Sequence, residues 1–200
     1  MNRQSEDVRT FLCRTSIFSR LCAPLCDAVT GRNDSRTILS QLEQANLFVT
    51  PLDDQREWFR YHHLFADFLR TEINAAEISG LHTRAACWLE ADGLVTEAIG
   101  HAMASRDLSP AARLIGKAAT EAFDRGELVT LLGWIDALPE ALSLENIRLA
   151  VYKAWALFVT GQIESSASYL AGLEHRCSHD IDPLTRGMCL SQGLAFKHSG

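Results

Sequence analysis

The side chains of this sequence that could bind a metal ion lie in two short clusters. Cys22 and Cys26 are four residues apart, a spacing that places both thiols on one face of a helix. His175, Cys177 and His179 supply three potential ligands within one short segment. A structural metal site uses four ligands, and neither cluster has a partner group at ligand spacing. We therefore interpret the cysteines as small buried side chains and the histidines as a solvated helix end, and we expect no metal site.

Carboxylates and nucleotide-binding motifs are the next candidates for chemistry. Asp53, Asp54 and Glu57 lie close together, but a polar turn between two apolar segments accounts for them. The sequence has no Gly-x-x-x-x-Gly-Lys-Ser/Thr phosphate loop, and no apolar strand ends in the acidic pair that holds Mg²⁺. The Gly-x-Ser-x-Gly and His-Glu-x-x-His motifs of hydrolases are also missing. We predict that the chain is not an enzyme.

The charge and hydropathy patterns limit the partners of the chain. Residues 1–75 carry 9 Lys/Arg against 10 Asp/Glu, and residues 76–200 carry 10 against 15. Neither part has the basic surface that phosphate neutralisation requires, so we expect no direct contact with nucleic acid. No apolar run approaches the ~20 residues of a membrane span. Met1–Thr10 also lacks the apolar core of a signal peptide. We expect a cytoplasmic protein that does not contact a membrane.

Residues 1–75 predict a winged-helix domain, with three to four helices and a small β-hairpin. Apolar residues at helical spacing predict the first three helices. The first begins near Val8, the second spans Arg20–Val29, and the third follows an N-cap at residues 33–35. The period then changes to that of strands over Leu47–Leu52 and Trp58–Tyr61, with a polar turn between them. A further helix follows at once. Its predicted apolar stripe consists of Leu64, Phe65, Phe68, Leu69 and Ile73.

A winged helix often binds DNA through its third helix. Here that helix offers a face of mixed charge, with Arg36 as its one basic residue beside Gln41, Glu43 and Gln44. Base edges are usually read by several Arg, Lys and Asn side chains. The third helix therefore does not predict base-specific recognition.

Residues 76–200 predict an array of helical hairpins, cut off at its C-terminal end. Asp92-Gly93, Arg125-Gly126 and Thr160-Gly161 recur at intervals of 33 and 35 residues, each between two amphipathic segments. A period near 34 residues with glycine at the inter-helix turn is typical of tetratricopeptide-like (TPR-like) repeats. Pro183–His198 predicts one more helix without a partner. Stacked hairpins of this kind form a concave surface for a ligand or a partner protein.

Several sequence blocks resemble MalT-like regulators of the LuxR family. The most specific is Arg60-Tyr-His-His-Leu-Phe-Ala-Asp-Phe-Leu-Arg70. The similarity continues along nearly the whole chain in Phe11–Ile17, Leu25–Gly31, Leu42–Phe48, Leu81–Ala86, Glu97–Ala102, Trp134–Pro139 and Ala154–Gly161. This family belongs to the STAND class of signal-transduction ATPases. The resemblance implies a parent with a nucleotide-binding domain, a winged helix, a helical-repeat sensor and a C-terminal DNA-binding helix-turn-helix.

The resemblance gives a role to two adjacent histidines. In STAND proteins a histidine at the start of the last winged-helix helix contacts the β-phosphate of ADP in the resting state. The apolar and acidic pattern of Leu64, Asp67, Phe68 and Leu69 aligns His62 with that histidine. His63 takes the place of an acidic residue that often follows that histidine in the class. A helix start favours phosphate through its unpaired N–H groups and dipole, although both histidines could instead simply begin the helix.

Two functions therefore remain open from the sequence. The first is a regulatory segment that couples the ATP or ADP state of an ATPase domain to an inducer or a partner protein on the repeats. No cofactor is expected within this chain itself. The alternative is a stand-alone TPR-like interaction protein, or a truncated remnant of a regulator. Whether the chain continues on either side in the cell separates these possibilities.

Overall fold

The computed structural model describes residues 3–174, which are mainly α-helical, and the chain divides into the compact units Met1–Arg106 and Asp107–Gly200. The first unit contains α1 (Arg3–Thr15), β1 (Leu21–Cys22), α2 (Ala23–Thr30), α3 (Ser35–Gln44), β2 (Val49–Pro51), β3 (Trp58–Tyr61), α4 (His63–Thr71), α5 (Ala75–Ala91) and α6 (Val95–Met103). The second contains α7 (Ser109–Asp124), α8 (Leu128–Asp136), α9 (Glu140–Glu145), α10 (Ile147–Val159) and α11 (Ile163–Glu174).

The three short strands form an antiparallel sheet in which β3 lies between β1 and β2. Val49 of β2 pairs with Tyr61 of β3, which confirms the predicted hairpin. Strand β1 pairs with the other edge of β3 and was not expected, because Leu21 and Cys22 are too few residues to show strand periodicity. The helices and this sheet form the winged helix that the sequence predicts.

Helix α2 begins after β1 and not at Arg20, where the sequence pattern places the start of a helix. Pro24 stands in its first turn, where proline removes no hydrogen bond that the helix needs. Cys22 and Cys26 are both buried free thiols, as expected for small packing side chains. Pro24 therefore lies in the first turn of α2 without interrupting its hydrogen bonds.

The start of α3 is stabilised differently from the sequence expectation. Asp34 is the N-cap residue, but its side chain makes no capping hydrogen bond. Its two carboxylate oxygens accept from Arg32 at 2.7 Å each. The Ser35 N–H donates instead to Asp27 of α2 at 3.1 Å. The cap therefore comes from the preceding helix and fixes α3 against it.

Helix α4 buries only part of the stripe that the sequence predicts. Ala66 and Leu69 are buried, with 3% of Leu69 exposed. Leu64 and Phe68 are 66% and 58% exposed, so the expectation that they face the core is wrong. Apolar spacing alone cannot distinguish the two faces here, because apolar residues occur on both sides of this short helix.

Helices α5 and α6 belong to the same compact unit as the winged helix. This unit continues past residue 75 to Arg106. Helix α5 packs on α2, and its residue Leu81 is fully buried. Arg84 donates from Nε to the carbonyl oxygen of Val29 at 2.8 Å, across the end of α2. Arg14 of α1 pairs with Glu77 of α5 at 3.0 Å. These contacts tie the first helical hairpin to the winged helix.

The predicted repeat is confirmed at the turns between paired helices. Gly93, Gly126 and Gly161 have φ of 81°, 74° and 83°, the left-handed region in which a side chain would be strained. Each turn closes with the same pair of backbone hydrogen bonds, the arrangement that commonly ends a helix at glycine. In each pair, the bond that spans five residues runs from an N–H after the glycine to a carbonyl in the preceding helix: from Leu94 to Leu89, from Glu127 to Ala122 and from Gln162 to Leu157.

The second unit is built from the hairpins α7/α8 and α10/α11 with the short α9 between them. Its core consists of fully buried aliphatic residues on α7, α8 and α10. Gly116 of α7 lets Asn146 approach closely, since a Cβ there would lie 3.0 Å from the Asn146 side-chain nitrogen. The helix predicted over Pro183–His198 and the His175–His179 cluster lie outside the described residues.

The two faces of α4 give a direct test of its packing. We expect Leu69→Ala to lower the free energy of unfolding by about 2–5 kcal/mol, because it opens a cavity in the core. Leu64→Ala removes the same atoms from the exposed face of the same helix, and should change stability by no more than about 0.5 kcal/mol. Urea denaturation followed by circular dichroism measures both. Equal losses would show that the exposed face is packed in solution.

Candidate functional site

The backbone at His62 is fixed on both sides by hydrogen bonds. Its N–H donates to the carbonyl oxygen of Phe48 at 2.8 Å. Its own carbonyl accepts from Phe65 at 3.0 Å and from Ala66 at 2.9 Å, the first bonds of α4. His62 is therefore the N-cap residue and His63 the first helical residue, as the sequence predicts. The strand and the helix together determine where the two rings project.

Both imidazole rings at this helix start are exposed. Their centroids are 4.5 Å apart and the rings are tilted by 31°. The His62 side chain makes no capping hydrogen bond to α4. The N–H groups of His63 and Leu64 precede the first intrahelical donor, so they are left for water or a ligand. The helix dipole adds partial positive charge at the same place. The arrangement can accept an anion such as a phosphate.

Tyr61, the residue before His62, anchors this end of β3 in the core. Its hydroxyl lies 2.7 Å from the Thr15 hydroxyl of α1, and its side chain is buried. Burial raises the pKa of Tyr61 far above its usual range, so the phenol stays protonated. Tyr61 therefore holds the strand while the next two side chains remain at the surface.

An exposed apolar patch lies beside the histidines; we call Phe48, Leu64 and Phe68 the α4 patch. Leu64 and Phe68 are one turn apart on the same face of α4. Phe48 is 55% exposed and stacks on Phe65 with ring centroids 4.8 Å apart. Phe48 also has φ of 58°, a conformation that a bulky side chain rarely adopts. The fold thus holds an aromatic ring at the surface in a strained backbone conformation.

A second histidine pair was not identified from the sequence. His82 of α5 and His101 of α6 face each other, with 2.9 Å between their Nδ1 atoms. The Phe18 ring lies edge-on to His101 with centroids 5.3 Å apart. Burial lowers the pKa of both imidazoles, that of His101 to about 4, with the charge of His82 as a second cause. The two residues are 19 positions apart on either side of the Gly93 turn, and only the helical pairing shows that they meet.

This pair lines a cavity of about 340 Å³ within the first unit. Arg20 reaches into the same cavity and donates to Glu97 at 2.7 and 3.1 Å. The Arg20 guanidinium also stacks on the Trp58 ring at 4.2 Å. Arg70 lines the opposite part and donates to the Ser16 carbonyl at 2.9 Å. The cavity therefore has a mixed polar and apolar lining, and the charged groups Arg20, Glu97 and Arg70 in it already have partners.

The described surface of α3 is poor in positive charge. The exposed side chains in the body of α3 are those of Arg36, Thr37, Gln41 and Gln44. Arg56 from the hairpin turn pairs with Glu43 at 3.3 Å. A major-groove helix needs several donors on one face, and this one has a single cationic side chain there.

Comparison with known proteins gives this arrangement a context. Residues 1–79 match the family model of the MalT winged helix domain. The chain is 33% identical over 182 residues to the HTH-type transcriptional regulator MalT of Klebsiella pneumoniae strain 342, covering 90% of this chain and 20% of that protein. It is 36% identical over 158 residues to MalT of Serratia proteamaculans, covering 78% and 18%.

A further relative carries a different name. The chain is 32% identical over 153 residues to the serine/threonine-protein kinase PknK of Mycobacterium tuberculosis strain H37Rv, covering 75% of this chain and 14% of the kinase. The chain thus spans about a fifth or less of the length of these relatives. The resemblance drawn from the sequence blocks is confirmed.

The charge on α3 leads to a prediction about DNA. We expect the 200-residue chain to leave the fluorescence anisotropy of a labelled duplex unchanged at micromolar protein and low salt, where phosphate-binding proteins bind without sequence preference. The double variant Gln41→Lys/Gln44→Lys is the matched control, since it adds positive charge to the exposed face of α3 and should raise the anisotropy. A salt-dependent increase with the unaltered chain would contradict the prediction.

Proposed function

We propose that this chain, which belongs to the MalT-like proteins and has a MalT winged helix domain over residues 1–79, is the regulatory segment of a MalT-type transcriptional regulator. In this proposal the winged helix couples the nucleotide state of an ATPase domain to an inducer or partner protein bound by the helical repeats. The observation that carries the proposal is the exposed pair His62–His63 at the start of α4.

The helix start supports a role in sensing ADP. An imidazole N–H and the unpaired N–H groups of the first turn can together donate to one phosphate group. Two sets of backbone hydrogen bonds hold this donor set in place before a nucleotide arrives: the His62 N–H donates to Phe48, and N–H groups of α4 donate to the His62 carbonyl. His62 would contact the β-phosphate, with His63 beside it. The nucleotide itself would be held by the ATPase domain and not by this chain.

The α4 patch supports docking of that ATPase domain. A contiguous apolar surface on a soluble domain commonly marks an interaction site. The patch begins one residue after His63, so a domain that presents ADP to the histidines would cover Leu64 and Phe68 as well. The strained conformation of Phe48 fits this role, because such strain often occurs at functional surfaces. Release of ADP would then weaken the same interface.

The helical repeats support the binding of an effector. Within the second unit, an open groove of about 720 Å³ lies along α7, α9 and α10. Its lining includes Arg113, Gly116, Asn146 and Arg148. A groove of this size can accept a small molecule or a side chain of a peptide. We propose this groove as the surface for the inducer or the partner protein.

The names of the relatives support a regulatory and not a catalytic role. One relative is named as a kinase and the others as transcriptional regulators, although all share this segment. A segment shared by a kinase and by transcriptional regulators is expected to receive the signal and not to perform the activity that differs between them. We therefore propose that this chain catalyses no reaction and that it contacts DNA only through other parts of the parent. No helix among the described residues has the length and apolar character for a membrane crossing, and we propose the cytoplasm as its location.

The role of His62 can be tested in the native polypeptide with its ATPase domain. We expect His62→Ala to weaken ADP binding by about 10-fold or more, because a hydrogen bond to a charged group contributes about 1.5–3 kcal/mol. Isothermal titration with ADP measures the change. Gln41→Ala, an exposed polar residue on α3, is the control and should leave the affinity unchanged. ADP affinity that survives His62→Ala would overturn the phosphate-sensing role.

A further inference from the structure

We propose that His82 and His101 form a binding site for one divalent transition-metal ion of the nickel, copper and zinc group. The two residues come from different helices, α5 and α6, and their Nδ1 atoms are 2.9 Å apart in the structure, close enough to share a hydrogen bond. Neutral imidazole is a favoured ligand for these ions. The site is separate from the helix start at His62 and does not depend on the proposed function.

The distance between the two nitrogens fits a shared ion. Metal–imidazole bonds are about 2.0–2.1 Å long, so two nitrogens in adjacent positions of a square-planar or octahedral ion lie about 2.9 Å apart. A tetrahedral ion needs about 3.3 Å, which small ring rotations would provide. The hydrogen bond that now joins the nitrogens would be replaced by two bonds to the ion. The proton of the donating ring would move from Nδ1 to Nε2, so that both rings bind as neutral imidazoles.

The surroundings support neutral, oriented ligands. Both rings are partly buried, which disfavours their charged forms. Phe18 packs edge-on against His101 and limits its rotation. Arg20 and Arg70 line the cavity, but each is paired with a carboxylate, Arg20 with Glu97 and Arg70 with Asp67. These ion pairs reduce the repulsion that a bound cation would meet.

The remaining ligand positions can be filled from the cavity. The described residues contain no ready group of three or more metal-ligating side chains. Glu97 lies one helical turn before His101 and lines the same cavity of about 340 Å³. Water in this cavity would complete the coordination, while Glu97 stays paired with Arg20. A bound ion would join α5 to α6 within the hairpin that packs on α2.

The first test uses the tag-free 200-residue chain titrated with Ni²⁺ alone. We expect one equivalent of Ni²⁺ to bind. Either His82→Gln or His101→Gln should weaken this binding at least 10-fold, because a loss of that size is typical even for residues that only hydrogen-bond to a ligand. The quadruple variant His62→Ala/His63→Ala/His175→Ala/His179→Ala is the control, because it removes the other clustered histidines. We expect it to keep the site. Unchanged affinity after His101→Gln, or loss of binding in the control, would overturn the proposal.

A second measurement needs no change at the site itself. Loaded with one equivalent of Cu²⁺, the quadruple variant should show an electron paramagnetic resonance spectrum with nitrogen coupling from two imidazoles. Ni²⁺ should also raise its melting temperature, because an ion that binds the folded chain stabilises it. A spectrum without two coupled nitrogens would contradict the assignment even if the glutamine variants fail to fold.

Discussion

The central position of β3 determines where the exposed helix start of the first unit lies. This strand pairs on one side with β1 and on the other with β2, so it cannot shift without breaking both ladders. Tyr61 fixes its end in the core through the bond to Thr15. Because His62 follows directly, the direction of its ring is set by the sheet and not by a loop. The exposed helix start and the α4 patch both follow from this constraint.

The sequence predicts the elements that depend on local patterns. The hairpin before His62, the helix after it and the glycine turns at Gly93, Gly126 and Gly161 all have local signals, because strand period, helix period and left-handed turns are encoded in neighbouring residues. The position of His62 at the start of α4 follows from the same signals. The proposed contact of His62 with a phosphate does not follow from them, and that proposal rests on the resemblance to the family.

The features that escape prediction depend on contacts between distant residues. Leu64 and Phe68 have the spacing of a core stripe, and only the packing of α4 shows that they face outward. The pairing of His82 with His101 requires the α5/α6 hairpin to be formed. Strand β1 exists only because β3 offers a free edge. Such tertiary contacts also explain why the unit that contains the winged helix extends to Arg106, since α5 packs on α2.

The proposed function requires that this segment acts within a longer regulator. An immunoblot of native cell extract, with an antibody raised against residues 80–170, measures this directly. The MalT relatives are about five times as long as the matched segment, so we expect a band at about 100 kDa, a size of several domains. A single band at the 22.2 kDa of this chain would contradict the account. The repeats would then have to function as a stand-alone interaction protein, without an ATPase domain to sense.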